Sequence, residues 1–272
     1  MEYITMRNGT KVPMLGLGCY KSEEQEGVEA VKSAIEIGYR HIDTANFYEN
    51  EKYVGRGIRE SGIDREKLFV VSKIWPTSFK TPEVAIEYSM RALNIDYIDM
   101  YLLHWPSQNE YARNHAFETL LKYKEKGYFK EVGVSNFKKE HLEKLKETFG
   151  FYPMMNQIEI SPWLQKKEDY AFCQENDIVM TACVPFAKGN ILNDPKLVEI
   201  AEKHGKNVGQ VILRWNIQRG NCVIPKSSKP HRIADNFNIF DFELDADDMA
   251  VIGTMENGNS YCSDSSVFTG DF

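Results

Sequence analysis

Asp43, Tyr48, Lys73 and His104 are four ionisable side chains at or just past the ends of short apolar runs. The same places collect Cys19 and Tyr20, Thr44, Trp75, Trp105, Ser135 with Asn136, Gln157 with Glu159, Cys183, and Lys226 with Ser227. Groups of these types can move protons and stabilise developing charge. Singly, each has a plain structural use. Asp43 suits a cap, Tyr48 a packed rim aromatic, Lys73 a stem reaching for water, and His104 a half-buried hydrogen-bonding ring. Four such groups at the ends of three successive apolar runs argue against the plain uses taken together. A second chemistry is open at this point. His41 and Asp43 stand two apart, so on a strand they face the same way and with His104 could form a metal-dependent hydrolytic site. Lys73 would then place a positive charge where a metal disfavours one.

The elements that must position these groups alternate along the chain. Tyr3–Met6 and Lys11-Val12 flank Arg7-Asn8-Gly9 and predict a small hairpin. Short strands are predicted at Leu15–Gly18, Arg40–Asp43, Leu68–Ser72, Asp99–Leu103, Glu131–Ser135, Met154–Ile160, Ile178–Cys183 and Cys222–Ile224. Between them, helical periodicity covers Glu24–Ile37, Glu51–Ser61, Thr81–Leu93, Glu118–Lys126, Glu140–Phe149, Lys167–Glu175, Lys196–His204 and Val208–Gln218. Pro230–Phe237 and Ala246–Thr254 follow as further helices. Eight such units imply a parallel sheet, and in this length a closed (β/α)8 TIM barrel behind a short N-terminal hairpin fits best. An open doubly wound sheet is second, because Gly16-Leu-Gly18 lacks the third glycine of a dinucleotide loop. In a barrel these strand ends lie on one face, where active sites form.

Composition limits the partners. The 272 residues carry 33 basic and 40 acidic side chains, a formal charge of −7. That balance disfavours a general nucleic-acid or anionic-membrane binder. Five scattered cysteines form neither a zinc pattern nor a disulfide framework, so no metal is expected. The polar start and the lack of a long apolar run predict a cytoplasmic protein, a single domain over residues 1–272 and a monomer.

Set in this order, the segments resemble the aldo-keto reductase family. Gly38-Tyr-Arg-His-Ile-Asp-Thr-Ala-Asn-Phe-Tyr-Glu-Asn-Glu51 is similar to its signature around a catalytic Asp and Tyr. Val70-Val-Ser-Lys-Ile-Trp75 and Tyr101-Leu-Leu-His-Trp-Pro106 resemble the segments of its catalytic lysine and histidine. Gly133-Val-Ser-Asn-Phe137, Asn156-Gln-Ile-Glu159, Ile224-Pro-Lys-Ser227 and Arg232-Ile-Ala-Asp-Asn236 resemble its cofactor segments.

The resemblance implies NADPH-dependent, reversible reduction of an aldehyde or ketone. Tyr48 would be the general acid, His104 would orient the carbonyl, and Asp43 would hold Lys73. A tyrosine titrates near ~10. An ammonium about 4 Å away, at an effective dielectric near 20, is worth roughly 4 kcal/mol, so Lys73 is expected to lower Tyr48 by up to ~3 units. Ser135, Asn136 and Gln157 would hold the nicotinamide amide. Lys226, Ser227 and Arg232, with Lys229 beside them, would hold the 2′-phosphate at a helix start, and Asn236 the adenine. Cys19, Tyr20, Asp43, Cys183, Pro185 and Lys188 complete the cofactor set. Tyr20, Tyr48, Trp75, His104 and Trp105, with Phe47, would line the substrate pocket. Two departures stand out. Cys183 sits where the family usually places a stacking aromatic, and the tail from Glu256 to Phe272 matches no usual substrate loop, leaving Tyr261 or Phe268 to close the pocket. A non-catalytic NADPH-binding barrel with a regulatory role is the alternative function.

Overall fold

The computed structural model describes residues 1–22 and 24–262. Strands β1 (Tyr3–Thr5) and β2 (Lys11–Pro13) form the antiparallel hairpin, with Gly9 at φ +90° in its turn, a conformation that costs glycine least. Then follow β3 (Leu17–Gly18), α1 (Glu24–Ile37), β4 (His41–Asp43), α2 (Glu51–Glu60), β5 (Phe69–Ile74) and α3 (Pro82–Leu93). The middle of the chain forms β6 (Ile98–Leu103), α4 (Glu110–Glu125), β7 (Phe129–Ser135), α5 (Lys139–Phe149), β8 (Met155–Glu159) and α6 (Lys167–Glu175). It ends with β9 (Val179–Cys183), α7 (Pro195–His204), α8 (Val208–Gln218), β10 (Cys222–Val223), α9 (Pro230–Phe237) and α10 (Ala246–Gly253).

Strands β3 to β10 are parallel and pair in sequence order. The two ends of the sheet also meet. Val223 N–H donates to the Met14 carbonyl at 2.7 Å, Gly16 N–H to Val223 at 2.9 Å and Gly18 N–H to Pro225 at 3.0 Å. These bonds close the sheet into the barrel and exclude the open doubly wound alternative. Gly18 permits the seam, since a Cβ there would stand 2.8 Å from the Ile224 carbonyl oxygen.

Burial explains the strand pattern. Every residue of β5 and β6 is buried, so each reads as a continuous apolar run broken only where a polar group has a partner. The helices cover the outside with one apolar face, as α1 does with Val28, Val31, Ala34 and Ile35. Each such Val or Ile side chain removed from water contributes about 1.5–3 kcal/mol. Helix α4 begins two turns before the expected Glu118. The Asn109 side chain accepts from Ala112 N–H at 3.0 Å and starts the helix, while polar Glu110, Arg113, Asn114 and His115 hide its apolar face in the sequence.

The hairpin sits at the amino ends of the strands. Arg7 donates to the carbonyls of Tyr152, Pro153 and Asp177, which precede β8 and β9, and His41 Nδ1 donates to the Pro13 carbonyl at 3.0 Å. The opposite face is left to the polar strand ends. Among the described residues no helix is long and apolar enough to cross a membrane.

Candidate active site

Asp43 is the last residue of β4 and Lys73 the fifth of β5, so the adjacent parallel strands bring them together. Lys73 is fully buried. Its Nζ donates to Asp43 Oδ1 at 2.6 Å and to the Thr44 carbonyl at 2.7 Å. Gln157 Nε2 donates to the other Asp43 oxygen at 2.8 Å from across the barrel. Both carboxylate oxygens are therefore engaged, as a buried charge requires.

Tyr48 follows in a 3-10 turn, Asn46–Tyr48. Buried Asn50 pins this turn. Its Oδ1 accepts from Thr44 Oγ1 at 2.7 Å, and its Nδ2 donates to the carbonyls of Cys19 at 2.6 Å and Ser22 at 3.0 Å. Asn50 lies inside the signature segment but was not singled out from sequence. Lys73 Nζ stands 5.2 Å from the Tyr48 ring centre, and the His104 ring 5.5 Å away, edge to face. His104 is placed by its own N–H, which bonds the Ile74 carbonyl at the end of β5. Tyr20 packs edge-on against Tyr48 at 5.0 Å, Trp75 meets His104 at 5.0 Å, and Phe47 stacks on Trp75 at 3.9 Å. Trp105 is buried beside His104 in the chain. Tyr20, Tyr48, His104, Trp75 and Phe47 thus form one continuous run of ring contacts.

The electrostatics differ from expectation at Tyr48. Burial first, and the Asp43 carboxylate next, push its phenol well above the ordinary tyrosine value rather than below it. Lys73 does not reverse this, because Asp43 sits against the ammonium and opposes it. Burial, with the Lys73 charge second, holds His104 well below the ordinary histidine value, so the ring is neutral. Its Nδ1 is buried without a hydrogen-bond partner among the described residues. Behind Lys73, Glu51 is buried and pushed up to about 7, chiefly by burial, while Ser72 Oγ donates to its Oε1 at 2.5 Å.

Further round the barrel, Ser135 Oγ donates to the Gln157 carbonyl at 2.8 Å. Asn136, at φ +62°, turns its Nδ2 to the His104 carbonyl at 2.9 Å, joining β6, β7 and β8 at their carboxyl ends. Lys226, Ser227, Arg232 and Asn236 line one cavity of about 610 Å³ at the start of α9. Phe186 and Asn207 line it too and were not foreseen. Lys229, beside the cluster in the chain, pairs with Glu26 at 3.1 Å. Pro185 is buried and Lys188 exposed in the loop after β9, where Val184, Ala187 and Lys188 all have positive φ. Side-chain-bearing residues hold that conformation at a cost, a feature concentrated at functional loops.

The cysteines separate into two kinds. Cys19 is sealed, its thiol 3.8 Å from the Leu17 carbonyl and pushed up to about 12 by burial. Cys183 is partly exposed at the end of β9, and the neighbouring Cys262 thiol, with burial after it, pushes its own thiol well above the ordinary cysteine value. The tail reaches it because buried Glu159 accepts from Ser260 Oγ at 2.7 Å, Tyr261 N–H at 2.9 Å and Cys262 N–H at 2.9 Å. Tyr261 packs partly buried against the core, whereas Phe268 lies outside the described residues. His41, held at the hairpin end, is drawn away from Asp43 and His104, and no metal-binding group of three appears among the described residues.

Comparison with known proteins agrees with this arrangement. Residues 9–256 match the model of the Aldo/keto reductase family. A Bacillus subtilis glyoxal reductase is 45% identical over 93% of this chain and 92% of its own. The Escherichia coli methylglyoxal reductase DkgA is 35% identical over 98% of each. A Gox0644 variant solved in complex with NADPH superposes with a TM-score of 0.93 at 36% identity, over 98% of each chain. The chain belongs to the aldo-keto reductase family of NADP-dependent oxidoreductases.

Proposed function

We propose that this reductase converts small aldehydes and dicarbonyls, of the glyoxal and methylglyoxal kind, to alcohols. The observation that carries the reading is the convergence of Tyr48, Lys73, Asp43 and His104 at the ends of β4, β5 and β6.

The residues present fit the cofactor. Lys226 and Arg232 are exposed on one cavity and have no ion-pair partner among the described residues, as a phosphate site requires. The amino end of α9 adds a favourable dipole. Ser227 and Asn236 would hold the phosphate and adenine beside them, and Ser135, Asn136 and Gln157 the amide of the nicotinamide. NADPH, when bound, supplies the hydride.

The chain supplies the proton and the field. Tyr48 keeps its hydroxyl proton through neutral pH and donates it to the carbonyl oxygen of the substrate. Lys73 supports the negative charge that grows on the Tyr48 oxygen as the proton leaves, and Asp43 with the Thr44 carbonyl fixes the ammonium for that purpose. Neutral His104 offers one ring N–H to the same substrate oxygen. Tyr20, Phe47, Trp75 and Trp105 give the small substrate an apolar wall.

The test is NADPH oxidation with glyoxal and methylglyoxal by the wild type and by Tyr48→Phe. Turnover falls by about 10²–10⁴ in the variant while its NADPH titration is unchanged. Absence of turnover in the wild type on any small carbonyl, with NADPH bound, overturns the reading in favour of a regulatory barrel. Wild-type rates in Tyr48→Phe overturn the role given to Tyr48.

A further inference from the structure

We propose that Cys183 and Cys262 form a redox modification site, a dithiol that a low-molecular-weight disulfide converts to an intramolecular disulfide, fastening the tail across the nicotinamide end of the cofactor site. The effect on the cofactor rests on the function proposed above; the linkage itself does not.

The geometry follows from strand register. Glu159 and Cys183 are direct partners in the β8–β9 ladder, so they stand side by side at the rim of the barrel. Glu159 is buried, with 3% of its surface exposed, and holds Ser260, Tyr261 and Cys262 through one hydroxyl and two backbone N–H groups. Anchoring the Cys262 amide to Glu159 at 2.9 Å brings Cys262 to the rim beside the neighbouring strand that ends in Cys183, and the two thiols interact electrostatically there. Both thiols also lie within electrostatic reach of the Tyr48 phenol, which puts the pair at the reacting end of the site. Both residues are partly exposed, so an oxidant of low mass can reach them. Cys19, Cys173 and Cys222 are fully buried and are not candidates.

The chemistry balances as two exchanges. The Cys262 thiolate attacks one sulfur of the oxidant disulfide, forming a mixed disulfide and releasing one thiol. Cys183 then attacks the Cys262 sulfur, forming the Cys183–Cys262 bond and releasing the second thiol. Two electrons pass to the oxidant, and the two protons lost by the protein end on the released thiols. Cys183 takes the second role because the neighbouring Cys262 thiol, and burial after it, hold its proton tightly.

The test uses the whole chain and oxidised glutathione. Intact mass is expected to show the loss of two hydrogens, and peptide mapping a Cys183–Cys262 link. NADPH is expected to bind the linked form about tenfold more weakly or worse. Dithiothreitol restores both mass and affinity, and Cys262→Ser does not respond in affinity. A stable glutathione adduct, a link through another cysteine, or no reaction overturns the site. A correct link with unchanged NADPH affinity overturns its effect on the cofactor. Failure of the reduced protein to bind NADPH overturns the proposed function instead, and the mapping still decides the link.

Discussion

Breaking the Asp43–Lys73 pair from each side and from both separates what it does for the fold from what it does for the reaction. At 2.6 Å and an effective dielectric near 20, the attraction between the two charges is about 6 kcal/mol. Removing each ion from water costs several kcal/mol, so the intact pair stands near balance. Breaking one half does not. Lys73→Met leaves the buried Asp43 carboxylate with Gln157 as its remaining side-chain donor and frees the Thr44 carbonyl, and Asp43→Leu leaves a buried ammonium facing that carbonyl alone. Each single change is expected to cost about 3–5 kcal/mol. The double variant removes both charges and leaves Gln157 Nε2 and the Thr44 carbonyl without those partners, roughly 1–3 kcal/mol each. Turnover behaves otherwise. The ammonium lies 5.2 Å from the Tyr48 ring centre, worth about 3 kcal/mol at the same dielectric, so Lys73→Met, which keeps the opposing Asp43 charge, loses about 10²-fold in rate. The double variant removes both charges, so its turnover lies between that of Lys73→Met and the wild type, and its stability loss stays below the sum of the two single losses. Urea unfolding of the four proteins gives the stability cycle, and glyoxal-dependent NADPH oxidation gives the rates. Additive stability losses, or wild-type turnover in the double variant, would refute the reasoning.

Arg232→Ala is expected to weaken NADPH but not NADH, reducing the preference between them by about tenfold to a hundredfold, the value of a charge-assisted bond to phosphate. An unchanged ratio of kcat/KM for the two cofactors counts against the phosphate site. Glu51 gives a stability prediction with a definite sign. Its carboxyl is raised from 4.5 to about 7, so the folded protein binds that proton more tightly than the unfolded chain does. Stability is lost as pH climbs from about 4.5 to about 7, by about 3 kcal/mol, and then levels off. Glu51→Gln does not titrate there, so it should gain on the wild type between pH 5 and pH 8 in urea unfolding; a difference independent of pH rules this out. For catalysis, His104 moves below 6.5 and Tyr48 above 10.0, which predicts a flat kcat for carbonyl reduction between those values. A limb inside that range that persists in Glu51→Gln contradicts the assignment.

The barrel was legible because its strands are buried on both sides and read as short apolar runs separated by helical segments. The polar groups of the site were legible for the same reason, since Asp43, His104, Ser135 and Cys183 each interrupt or end such a run. The state of Tyr48 was not. Its acidity is the sum of burial, an opposing carboxylate and an ammonium 5.2 Å away, and the sequence gives neither the burial nor the distances. Counting Lys73 without the Asp43 pressed against it reverses the sign. The pairing of Lys229 was hidden in the same way. That lysine belongs to a basic cluster by sequence, and its partner Glu26 lies 203 residues away.

The tail was hidden for a different reason. Glu159 binds it through the N–H groups of Tyr261 and Cys262, more than a hundred residues ahead, and every residue type except proline carries that donor. Such an anchor leaves no mark in the segment it holds. The mark is on the carboxylate side: Glu159 is 3% exposed at a strand end, and no lysine or arginine in the described chain accounts for it. A buried carboxylate must be met by donors, so one without a cation calls for backbone amides or hydroxyls. Applied to strand-end Asp and Glu, that requirement separates Asp43, which holds the Lys73 ammonium, from Glu159, which holds chain. The distinction needs burial as well as sequence, because an exposed glutamate at the same place would find its donors in water.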